Sequence, residues 1–158
     1  MPHPARPRFT RGDLFWAWLI ATVFSGIPST AYALLTDADP MEATWAAGGM
    51  LLSMSAPPVQ LFMAAGVAHG TVSAFWTLVF SRLLPRRHVL PWALAGSAAV
   101  ALLDLRLIAP PLFPSVAALA FWPQFADHLM WGALLGGTLR WRLARASRRG
   151  APPADAPT

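Results

Sequence analysis

The chain has no cysteine, which excludes disulfides, iron–sulfur clusters and thiol catalysis. It also has no lysine: all twelve basic residues are arginine, a bias that a GC-rich genome produces by itself. Charged residues make up only 12% of the 158 positions, against about 25% in a soluble domain, too few to cover a water-facing globule. HExxH, GxSxG and comparable catalytic motifs are missing, so nothing local assigns an enzyme. There is no usable internal repeat. The net charge of +5 does not imply nucleic acid, because the arginines flank apolar runs instead of forming a soluble basic domain.

What is present is apolar: 56% hydrophobic residues and a mean hydropathy of +0.47. Several runs reach membrane-spanning length, which defines an all-α polytopic membrane protein, a single four-helix transmembrane bundle in contact with the lipid bilayer. Residues 1–13 form a Pro- and Arg-rich tail in which Thr10 to Asp13 fits a capping box. Residues 14–141 form the transmembrane domain, with spans at about 14–35, 59–80, 89–109 and 117–139. Residues 142–158 form a basic, then disordered, tail. The segment 43–56 is apolar but too short to cross, and Pro57-Pro58 cuts it off. It therefore reads as interfacial or re-entrant. Residues 115–122 read as an extension of the fourth helix, kinked at Pro123.

The start of the chain admits a second reading. Its arginines, the run Leu14 to Ile27 and Ala31-Tyr32-Ala33 also fit a secretory signal peptide cleaved near residue 33. Apolar character that continues through Leu34 and Leu35 favours a retained span.

Eleven of the twelve arginines fall in the N-terminal tail, the 81–88 loop or the C-terminal end, whereas Asp37, Asp39 and Glu42 share the opposite side. The positive-inside rule then places both termini in the cytoplasm of a bacterium, with the spans in its inner membrane. Trp122 and Trp141 stand 19 positions apart, roughly 28 Å of helix, matching the two faces of a bilayer core. The tryptophans accordingly read as boundary anchors, and Met50, Met54 and Met63 as gap fillers.

Counted from the cytoplasmic ends, Ser25, His69, Asp104 and His128 each lie 12 or 13 residues deep. That is roughly 18–20 Å at 1.5 Å per residue, a common level in the outer half of the membrane. Asp127 and Gln124 adjoin this level, and Arg106 lies nearer the outer boundary, free to snorkel or to bend toward a carboxylate. Gly66 with Gly70, and Gly132 with Gly136, have the small-residue spacing of close helix contacts.

A membrane-embedded carboxylate costs about 3 kcal/mol or more unless paired, so ionisable groups here are candidates for function. Three chemistries suit them. His69, Asp104, Asp127 and His128 suit a proton relay or a small-ligand or small-ion site, in a homo-oligomer or with a larger membrane partner. His69 and His128 suit two axial haem ligands. Two histidines and a carboxylate suit a divalent metal. The bland reading is an accessory subunit whose polar layer only locks the bundle, since intramembrane hydrogen bonds average only about 0.6 kcal/mol.

His69 with Trp76, the Arg-Pro loop, Gly96, the prolines at 110–114 and then His128-Leu-Met-Trp131-Gly132-x-x-x-Gly136 form an ordered series. Over residues 59–140 that series resembles small bacterial inner-membrane proteins of the YagU-like and related unknown-function families. The resemblance implies a four-helix inner-membrane fold and no assigned activity. Asp104 and Asp127 lie outside the shared pattern.

The orientation has a direct test. Alkaline phosphatase fused within residues 37–42 or 110–114 should be active, and fusions after Arg87 or Arg145 should be inactive. The reverse pattern would invert the topology.

Overall fold

The computed structural model describes residues 9–149, which are helical with no strand among them. Three helical segments are long and apolar enough to cross a membrane: Arg11–Leu35, Pro58–Leu83 and Val89–Leu112.

The first segment is two helices, α1 (Arg11–Phe24) and α2 (Ile27–Leu35), not one continuous span. Thr10 caps α1 through a capping box with Asp13. The break has a covalent cause. Pro28 lacks an N–H, and its ring opposes the carbonyl four residues back, so the helix cannot run on through Gly26. A short α3 (Glu42–Gly48) follows and packs on α4 (Pro58–Leu83). Their approach is close: a Cβ at Gly48 would lie 2.3 Å from the Leu61 carbonyl oxygen.

A 3-10 turn at Arg86–His88 leads into α5 (Val89–Leu102). Leu103–Ile108 is then a π-helical stretch in which the Ala109 N–H reaches the Asp104 carbonyl. Pro110 and Pro111 explain the widening. Neither can donate, and both rings crowd the preceding turn, so the chain loosens its winding just before them. Two short helices complete this end, α6 (Ala109–Leu112) and α7 (Pro114–Ala117).

The last helix, α8 (Phe121–Arg149), differs from expectation at both ends. It does not extend back through residues 115–120, because α7 is separate. Pro123 therefore sits in the first turn of α8, where its missing N–H costs nothing and no kink results. Its C-terminal end carries Arg142 to Arg149 as helix instead of tail. The parts of both tails at 1–8 and 150–158 lie outside the described residues.

Although α8 is not one of the three strongly apolar segments, it lies at the centre of the packing, against α1, α2 and α5. Asp127 of α8 bonds Ser29, and Arg142 of α8 pairs with Asp13. The two helical segments thus run antiparallel in register from the acidic end, which carries Asp37 to Glu42, to the arginine-rich end. Leu135 and Leu139 on α8 are fully buried. In lipid no hydrophobic gain drives such contacts, so they rest on close fit. Gly132 and Gly136 provide it: Cβ atoms there would fall 2.2 Å from Ser97 Oγ and 2.7 Å from the Ala93 Cβ of α5.

The second glycine pair behaves differently. A Cβ at Gly70 would lie 4.0 Å from the Trp18 ring, an ordinary contact, and one at Gly66 would meet nothing within 4 Å. Two tryptophans make contacts within the protein. Half-buried Trp18 donates its Nε1–H to the Gly70 carbonyl (3.0 Å), and buried Trp131 packs on Phe80. Trp122 and Trp141 are exposed, while Met54 and Met63 lie on the surface instead of filling gaps.

Gly132→Ala should lower stability by about 1–3 kcal/mol, the range for overpacking a tight contact. Gly66→Ala should be neutral or stabilising by up to about 1 kcal/mol through helix propensity alone. Thermal unfolding of both variants in detergent checks the contrast.

Candidate functional site

The polar residues of the four helical segments converge toward the acidic end of the bundle. His128 of α8 places Nε2 3.5 Å from Asp104 Oδ2 in the π-helical stretch after α5. Its other nitrogen, Nδ1, lies 2.8 Å from the Gln124 carbonyl one turn back. A carbonyl can only accept, so Nδ1 carries a proton and Nε2 is the nitrogen that faces the carboxyl. One proton between Nε2 and Oδ2 then satisfies both groups, either as an ion pair or as a neutral imidazole with a neutral acid. Each side chain retains about a quarter of its accessible surface, so the pair is not sealed off.

Asp127 points another way. Its Oδ1 accepts the Ser29 backbone N–H at 2.9 Å. In an unbroken helix that N–H would bond the carbonyl of Ser25. The break at Pro28 frees it, and Asp127 caps it from the neighbouring helix, at the positive end of α2.

His69 of α4 lies on the flank of the bundle, exposed, with Nε2 3.1 Å from the Thr22 carbonyl and 3.3 Å from Ser25 Oγ. The same logic puts its proton on Nε2. Ser25 itself is almost fully buried. His69 is within electrostatic range of His128, but no hydrogen bond joins it to either aspartate among the described residues. Arg106 pairs with no carboxylate among the described residues. Its guanidinium stacks over the Phe121 ring, 4.1 Å from the centroid, at the start of α8.

Hydroxyl groups tie the layer together, among them Ser73, which the sequence places on the same stripe of the second span as His69. Ser73 Oγ receives the Trp131 Nε1–H at 2.8 Å and lies 2.6 Å from Thr22 Oγ1. The signal for Ser73 was its four-residue spacing from His69. Nothing local marked Thr22 or Ser29. At the acidic end a small cleft of about 30 Å³, lined by Ser29, Tyr32, Asp39, Glu42 and Gln124 among others, has room for about one water beside the layer.

The arrangement can hold a proton between an imidazole and a carboxyl near a small polar cleft. Among the described residues no three His, Asp or Glu side chains form a metal-ligand set. Compared with protein-family models, with curated proteins and with solved structures, the chain matches none, and the likeness to YagU-like proteins rests on the residues quoted for it.

Asp127→Ala should expose the α2 terminus and cost about 0.5–2 kcal/mol, the usual worth of a helix cap. Amide exchange at Ser29 should accelerate in that variant and remain slow in Asp104→Asn.

Proposed function

We propose that this is an integral bacterial inner-membrane protein of four crossings, α8 being the fourth, with the arginine-rich end in the cytoplasm. Its His/Asp layer takes up and releases protons from the outer side. The observation that carries this reading is the His128–Asp104 pair. Its imidazole is oriented by the Gln124 carbonyl so that the titrating nitrogen faces an acid. Histidine is the side chain whose charge changes near neutral pH, and an intramembrane pair of ionisable groups is a functional candidate by default. The antiparallel register of α8 against α1 and α2 supports the fourth crossing. Gln124, Asp127 and His128, which lower its apolar character, are all partly buried.

A second reading draws on a different observation. Asp127 caps α2, and His69 is held by the Thr22 carbonyl, as expected if the layer serves to lock a structural or accessory subunit. Potentiometric titration of the purified protein in bilayers separates the two. Between about pH 5 and 8, His128→Ala should bind about one proton fewer than the natural protein. Equal proton uptake accompanied by a lower melting temperature would establish the locking role instead.

A further inference from the structure

Below His69 on α4 stand Ser73, Thr77 and Ser81, each four residues on from the last. Four residues of helix rise about 6 Å and turn about 40° past a full circle, so the row winds gradually around α4. Its middle lies inside the protein: Ser73 and Thr77 are almost fully buried, at 4% and 3% exposure. Ser73 is already bonded to Thr22 and Trp131. At the far end Ser81, whose hydroxyl donates to the Leu78 carbonyl at 2.7 Å, lines a cavity of about 270 Å³ at the arginine-rich end, together with Phe9, Leu14 and Arg82. A row of polar side chains thus runs from the histidine level toward a cavity at the opposite end of the bundle.

The middle rung is the informative one. A threonine in a helix ordinarily returns its hydroxyl to the carbonyl one turn back. Thr77 Oγ1 does not, and it has no hydrogen-bond partner among the described residues although it is buried. A buried hydroxyl left in that state is unfavourable unless water reaches it. Two hydrogen bonds of about 2.8 Å in series span about 5.6 Å, close to the 6 Å between successive rungs. One water between neighbouring rungs therefore completes a continuous file.

We infer that Ser73, Thr77 and Ser81 form the inner limb of a proton path, with water held at Thr77, that joins the His/Asp layer to the cytoplasmic cavity at Ser81. This rests on the reading of the layer as a proton site and extends it from holding protons to moving them across the membrane. The transfer consumes nothing. A proton taken up at His69 Nδ1 leaves from that same nitrogen through a water to Ser73 and displaces one along the hydroxyl–water file; another leaves at Ser81, and each hydroxyl ends with the proton count it began with. Nδ1 is the nitrogen available for this, because Nε2–H is held by the Thr22 carbonyl, with Ser25 Oγ 3.3 Å away.

The full chain in proteoliposomes, with an imposed pH gradient, a potassium–valinomycin clamp and an internal pH dye, tests this. Thr77→Val keeps the shape and removes the hydroxyl. It should lower proton flux about tenfold or more, the effect of losing one hydrogen bond along the file. Thr77→Ser should restore the flux, and Thr71→Val, on the exposed side of α4, should leave it unchanged. Thr77→Val should still melt and titrate like the natural protein, which separates a blocked path from a misfolded one. Flux in Thr77→Val equal to that of the natural protein, or flux in the natural protein no greater than in empty vesicles, would overturn the path. The proton site would stand in either case if His128→Ala still binds about one proton fewer.

Discussion

A helix that carries a carboxylate, an imidazole and an amide within five residues cannot leave every side to apolar surroundings. That constraint on α8 organises the molecule. Gln124, Asp127 and His128 carry polar groups that need hydrogen-bond partners, and the helices packed around α8 supply them. Ser29 gives an amide proton to Asp127, and Asp104 faces His128. The glycines further along the helix let it approach α5 closely enough for van der Waals contact to hold it there.

Both aspartate contacts to this layer, Asp127 with Ser29 and Asp104 with His128, are made beside a local defect in a neighbouring helix. The break at Gly26 and Pro28 exposes a backbone donor that an ideal helix would have used itself. The π-helical stretch ahead of Pro110 and Pro111 sets the turn from which Asp104 meets α8. Proline thus acts twice through the same chemistry: it cannot donate, its ring disturbs the turn before it, and the freed or displaced groups become available between helices. At the arginine-rich end the join is more conventional, with Asp13 completing a capping box and pairing with Arg142.

Much of this was legible in the residues. Hydropathy and length marked the membrane character, and the capping box at Thr10 follows from a four-residue pattern. Counting depth grouped Ser25, His69, Asp104 and His128 at one level. The pattern failed where partner choice depends on rotation about the helix axis. The 12-residue count treats Asp104 as though α-helical winding continued to it, whereas the π-helical stretch begins beside it. Arg106 finds an aromatic ring because Phe121 starts a new helix next to it, a proximity across a loop that no periodicity encodes. Gly66 and Gly132 have the same spacing signature, yet only Gly132 meets another helix, since a motif cannot say which face is covered.

The sequence by itself determined the solvent this protein belongs in and the places where its helices break. Those depend on composition and on proline, which act within a few residues of themselves. Tertiary structure alone decided which carboxyl meets which donor: Asp104 goes to His128, while Asp127, the nearer neighbour in sequence, turns to the start of α2. Adjacent residues on a helix point about 100° apart and so face different partners, and only the packing of the other helices around α8 fixes which partner stands at each angle.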